Sequence, residues 1–75
     1  MEVKAGDYLL TKEKQLYRIV DVFTDTTGTY YDIKAYKNNI VKHEYIKAIP
    51  RNRLKHLGNI ISEENITKTL KILYG

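Results

Sequence analysis

The chain contains no cysteine and no tryptophan, one proline, one serine and four glycines among its 75 residues. Without cysteine there is no disulfide, no thiolate metal ligand and no thiol chemistry. That usage fits a reducing compartment. The glycines stand at 6, 28, 58 and 75, too scattered to build a phosphate-cradling loop. The lone serine, Ser62, directly precedes a helical pattern, so its hydroxyl is read as an N-cap and not as a nucleophile. His43 and His56 are thirteen residues apart with Glu44 as the only nearby acid. That spacing matches no metal motif, and no metal site is expected. No apolar run exceeds three residues, against about 18 for a membrane span. The opening "MEVKAGDYLL" lacks a basic region and a long apolar region, so no signal peptide is read and a cytoplasmic location is expected. These gaps leave no catalytic constellation, and neither an enzyme nor a cofactor is expected.

What is present favours a folded chain. Hydrophobic residues make up 43%, and seven tyrosines supply rigid amphipathic bulk. A single domain of this size buries only about 60–65% of its unfolded surface, so every element must contribute to one core. A turn at Gly6-Asp7 precedes a first strand. "KEK" at 12–14 is a polar turn. "QLYRIVDVFT" has strand composition but imperfect alternation, since Tyr17, Ile19 and Phe23 share a parity with Asp21. A bulge near Val20-Asp21 reconciles them by moving Val22 to the inner face. "DTTG" at 25–28 reads as a hairpin turn. In "TYYDIKAYK", Tyr31, Ile33 and Ala35 fall on one face and Tyr30, Asp32, Lys34 and Tyr36 on the other. Asn38-Asn39 suits a two-residue loop. "IVKH" then reads as a fourth strand, "EYI" as one helical turn, and "KAIP" as a fifth strand stopped by Pro50. Asp21, Asp25 and Asp32 are read as turn and solvent-face acids.

The period changes near the end. Ile66, Leu70 and Leu73 recur at i, i+4, i+7, the spacing of a helix face. Ser62 as cap, Glu63 and Glu64 in the first turn, and an Ile61–Ile66 staple predict a helix from Glu63 to about Leu73. The division expected is a barrel over 4–50, a basic linker over 51–61 and a helix over 62–74, all in one domain over 1–75. Asn65-Ile66-Thr67 matches a glycosylation sequon, but a predicted helix without a signal peptide makes it a chance match.

The charge is unevenly placed. The chain carries +4 overall; from Lys42 to His56, Lys42, Lys47, Arg51, Arg53 and Lys55 stand against Glu44, five minus one, so this segment also carries +4 and the rest sums to zero. Cations gathered on one surface attract phosphates, and neighbouring aromatics can stack on bases. Tyr30, Tyr36 and Lys34 on the outward face of the third strand, with Tyr45 and Lys47 nearby, are candidate platform residues. Arg51 and Arg53, two apart in an expected extended segment, would face the same way as phosphate forks, with Lys55 beside them.

The strand series, carried by "AGDYLL", "LYRIVDVF" and "VKHEYIKAIP", resembles small SH3-like β-barrels over roughly residues 4–50, including KOW-like and Tudor-like domains and stand-alone bacterial or phage modules. The resemblance implies a mainly β (α+β) fold, a small five-stranded barrel followed here by one C-terminal amphipathic helix. It implies binding and not catalysis. The groove with which eukaryotic SH3 domains hold PxxP peptides is not carried over without tryptophan, and the paired glycines of a KOW motif are missing. Heavy use of lysine, isoleucine, asparagine and tyrosine fits an AT-rich bacterial or phage genome. The expected function is a non-enzymatic binding module for an acidic macromolecular partner, nucleic acid first. The alternative is a phage or mobile-element accessory protein that binds and modulates a host protein through an acidic surface. No membrane partner is expected. A homodimer through the C-terminal helix follows if Ile60, Ile61 and the helix stripe exceed what the barrel covers.

Overall fold

In a computed structural model that describes residues 3–37 and 40–74, the strands form one unclosed antiparallel sheet. They are β1 (Tyr8–Thr11), β2 (Leu16–Asp25), β3 (Gly28–Lys37), β4 (Ile40–Pro50) and β5 (Gly58–Ile61), in the order β4-β3-β2-β1-β5. Helix α1 (Arg51–Leu57) joins β4 to β5. A 3₁₀ turn (Glu63–Asn65) leads into α2 (Ile66–Tyr74). The protein is mainly β with a C-terminal helix, as its periodicities predict. Among the described residues no helix is long and apolar enough to cross a membrane.

The bulge expected near Val20-Asp21 is there. Ile19 pairs with Ile33 and Asp21 with Asp32, leaving Val20 extra. The parity switch sends Ile19 and Val22 to the same core. The "DTTG" turn also forms, joining Asp25 to Gly28, and Gly28 takes φ 143°, a conformation glycine tolerates. The Asn38-Asn39 loop lies outside the described residues.

The reading of residues 40–61 is corrected. "IVKH", "EYI" and "KAIP" form no strand–turn–strand; they are one edge strand, β4, with two irregularities. Lys47 and Ala48 together oppose Asp32, and three residues oppose Ala35. Tyr45 and Ile46 stay in register with Lys34 and Ile33, which holds "EYI" extended. The first bulge places Ala48 at φ 57°, a left-handed conformation costly for a residue with a Cβ. The carboxylate of Asp32 holds it there, accepting from Ala48 N–H at 2.8 Å. Asp32 is therefore a buried structural acceptor, 8% exposed, and not a solvent-face acid.

Nor is 51–61 an extended linker. Leu54 and Leu57, three apart, give α1 one apolar stripe. Leu54 is fully buried against Leu9, Ile19, Tyr31, Ile33 and Ile49, with Leu57 and Ile60 packed beside them. Such short-period patterning is hidden in sequence by the five polar residues around it. The fifth strand is Gly58–Ile61, which pairs with β1.

A second, smaller cluster lies on the opposite sheet face, where Ile66 packs on Tyr8 and Leu16, flanked by Leu10, Tyr36, Ile61 and Leu70. Ile66 and Leu70 of the expected stripe and the Ile61–Ile66 pair meet in this cluster, while the α-helix begins at Ile66 and not at Glu63, because residues 63–65 form the 3₁₀ turn. Ser62 occupies the N-cap position, but its hydroxyl makes no capping bond. The buried carboxylate of Asp7 accepts from Glu63 N–H at 3.3 Å and from Lys4 N–H at 3.1 Å, tying the start of the helical segment to the turn before β1.

Candidate functional site

Helix α1 sorts the basic stretch by face. At about 100° per residue, Leu54 and Leu57 point inward. Arg51, Asn52, Lys55 and His56 occupy one exposed arc, and Arg53 lies about 160–200° away from Lys55 and Arg51 on the other flank. The expectation that Arg51 and Arg53 face the same way fails because i and i+2 diverge on a helix. The pair that shares a face is Arg51 and Lys55, at i and i+4.

That arc borders an open groove of about 740 Å³, whose other wall is the β2–β3 turn and the start of β3, Thr27 to Tyr30. Pro50 pairs with Tyr30 across β3–β4, so the chain enters α1 beside that tyrosine. Tyr30 is held on two sides. Its ring stacks on Phe23, with centroids 5.6 Å apart and planes at 24°. Thr27 Oγ1 donates to Asp25 Oδ1 at 2.6 Å, which leaves that oxygen to accept from the Tyr30 hydroxyl. The same Thr27 hydroxyl, with Thr27 N–H, holds the Asp25 carboxyl below its ordinary value near 3.8.

The other tyrosines fare differently. Tyr45 lies between two ammonium groups, Lys34 Nζ at 4.9 Å and Lys47 Nζ at 5.0 Å from its ring centroid, cation–π contacts that orient both lysines. Its hydroxyl donates weakly to Asp32 Oδ2 at 3.4 Å. Desolvation, followed by the negative charge of Asp32, raises its phenol above the ordinary 10.0. Tyr36 is edge-on to Tyr8 at 5.1 Å and packs in the cluster under α2. It is half-buried at the edge of that cluster and lines a different groove, with Lys14 and Lys37. Tyr30, Arg51 and Lys55 thus line one groove, Lys34, Tyr45 and Lys47 form a second group on β3 and β4, and Arg53 and Tyr36 belong to neither.

Four contributors escaped the sequence reading. Asn52 and His56 share the groove wall with Arg51 and Lys55. Lys12 and Lys14, on the β1–β2 turn, line a second groove with Lys55, His56 and Gly58. They meet α1 because β5 returns the chain alongside β1, a pairing whose only sequence trace is the β-branched pair Ile60-Ile61. Asp21 and Asp32 do stand opposite one another, but each carboxylate is engaged by a backbone N–H, Val22 at 2.9 Å and Ala48 at 2.8 Å. Ile66 and Leu70 of the α2 stripe pack within the chain, and Ile72, off that stripe, is widely exposed, at 84%. Comparison with family models, with curated proteins and with solved structures finds no match to this chain.

Proposed function

We propose that the protein is a non-enzymatic binding module that holds the phosphate backbone of nucleic acid in the groove between α1 and the β2–β3 turn. The observation that carries this reading is the shared face of Arg51, Lys55 and His56 opposite Tyr30. Cations there can neutralise phosphates beside a tyrosine that lines the same groove. Lys34 and Lys47, oriented by Tyr45, extend the footprint along the sheet.

Four cations, Arg51, Lys55, Lys34 and Lys47, imply a log–log salt slope of about −2.8 for a single strand and −3.6 for a duplex. Between 50 and 200 mM salt the affinity then falls roughly fifty- to 150-fold. Titration of labelled oligonucleotides at both salts tests this. Arg51→Ala/Lys55→Ala should weaken binding and flatten the slope by about 2, since each lost phosphate contact removes about 1. Arg53→Ala, on the other flank, should do less than either single change. Absence of oligonucleotide binding at 50 mM salt refutes the reading. Equal binding of polyglutamate would transfer the site to an acidic protein.

That second reading, an accessory protein docking on a host protein, has its own observation. Edge strand β4 exposes Ile40, Tyr45 and Ile46 at 57%, 41% and 45%. Large apolar side chains on an edge suit a protein contact, but the two register breaks in β4 make it a poor template for strand addition.

A further inference from the structure

We infer that the groove takes single-stranded and not duplex nucleic acid, with a base stacked on Tyr30. The flanking phosphates are held by Arg51 and Lys55 on one side and by Lys34 and Lys47 on the other. This rests on the phosphate-binding reading and adds the form of the ligand.

The three candidate tyrosines are not equivalent. Tyr36 packs edge-on against Tyr8 at the second cluster, and Tyr45 has two ammonium groups about 5 Å from its ring centroid. Of the three, only Tyr30 lines the groove that Arg51 and Lys55 border. That ring is fixed before any ligand arrives, by Phe23 against it and by the hydroxyl chain through Thr27 to Asp25. A fixed ring loses little freedom on binding, so the stacking energy is retained. A duplex gives such a ring nothing to stack on, because its bases are already stacked on one another; an unpaired strand can splay a base onto it.

The phosphate anchors lie on both sides of Tyr30. Arg51 and Lys55 share its groove. Lys34 is four residues further along β3, about 13 Å at strand rise, paired with Tyr45. A strand passing from α1 to the Tyr45 lysines therefore crosses Tyr30. Asp32, between Tyr30 and Lys34 on the same face, has its carboxylate oxygens engaged by Ala48 N–H and the Tyr45 hydroxyl, and exposed Asp21 opposite it repels phosphate on the β2 side.

The test uses fluorescence anisotropy with four probes of equal length: oligo-dT, oligo-U, a matched duplex, and an abasic oligomer with the same phosphates and no bases. Wild-type protein should bind either single strand more tightly than the duplex. Loss of the bases should weaken binding by roughly 5- to 150-fold, the range for one stacked base. Tyr30→Ala should lose the same factor on oligo-dT and nothing further on the abasic oligomer, and Tyr30→Phe should keep most of the affinity. Duplex binding as tight as single-strand binding, or abasic binding equal to oligo-dT, overturns the inference and leaves the phosphate reading standing. If no probe binds at 50 mM salt, the phosphate reading itself falls. The abasic comparison needs only wild-type protein, so it stands even if Tyr30→Ala misfolds.

Discussion

Gly58 offers a quantitative test of the frame that carries α1. Its backbone is extended, with φ 168°, so no left-handed conformation demands glycine. The demand is steric. A Cβ at this position would lie 2.0 Å from the carbonyl oxygen of Leu10 and 2.8 Å from Thr11 Cα. Both obstacles are backbone atoms of β1, and neither can rotate away. Gly58→Ala must therefore push β5 off β1 by about 1 Å or more, at the end of the ladder where Thr11 opposes Gly58. Overpacking of this kind costs about 1–3 kcal/mol, and a backbone obstacle places it in the upper half. Stretching one ladder hydrogen bond adds about 1 kcal/mol. The stiffer unfolded chain returns about 0.4–1 kcal/mol. The net is a loss of about 2–3 kcal/mol, from a total of about 4–11 kcal/mol for a domain this size. Urea denaturation followed by far-UV circular dichroism should show the midpoint falling by about 1–2 M with the slope unchanged. Because β5 anchors the C-terminal end of α1, binding to the groove should weaken at temperatures where the variant begins to unfold. A variant within about 0.5 kcal/mol of wild type would refute the claim that β5 and β1 are packed too closely for a methyl group.

Two further outcomes follow from side chains that hold turns. Asp32→Ala removes the acceptor for Ala48 N–H and leaves a left-handed alanine without support, so it should cost about 2–3 kcal/mol by urea denaturation. Ala48→Gly in that background should recover part of the loss, because glycine adopts this conformation without strain. At the β2–β3 turn, Thr27→Ala should raise the Asp25 pKa toward its ordinary value in an NMR titration, since the Thr27 hydroxyl is the first cause of its depression. The sign follows. The folded pKa lies below the unfolded one, so the stabilisation is full above the unfolded value near 3.8 and fades as pH falls through the folded value. In Thr27→Ala that acid-dependent component should shrink.

Legibility in the sequence followed the regularity of the pattern. The β2–β3 hairpin was readable because alternation is strict in β3, and the one break in β2 admits a single repair, a bulge that puts Val22 inside. The C-terminal helix was readable because its stripe, its acids and its cap position agree. Residues 40–61 were not. Two bulges in β4 destroy its alternation, and the one at Ala48 is enforced by Asp32, 16 residues away. Helix α1 shows only two apolar residues, and its register against the core depends on packing that no local pattern encodes. The capping of the final helical segment was misassigned for a related reason: the carboxylate that does it, Asp7, is 56 residues distant from Glu63. Tyr30 and Tyr36 have the same parity in β3, yet one borders the α1 groove and the other packs at the edge of the second cluster. Parity gives the sheet face, and only the position of α2 decides which end of that face is covered.

The concentration of charge between Lys42 and His56 can now be separated into parts with different causes. Lys42 and Lys47 are β4 residues, and Lys47 is drawn to the Tyr45 ring. Arg51, Arg53 and Lys55 belong to a helix that is seven residues long and buries a single stripe. Its solvent side had to be polar, but nothing in folding required it to be cationic; asparagine, glutamine or glutamate would cover the same surface. Three like charges within two turns repel one another, a cost that an isolated fold would shed. Of the acids, Asp7 lines a pocket with Arg51 and Lys55. Asp7 and Asp32 are buried as backbone acceptors, and Glu63 and Glu64 sit at the start of the other helix. The exposed side of a helix explains why these positions are polar, and the phosphate ligand proposed above would account for their common sign. The Arg51–Lys55 face beside Tyr30 is where that explanation makes contact with geometry.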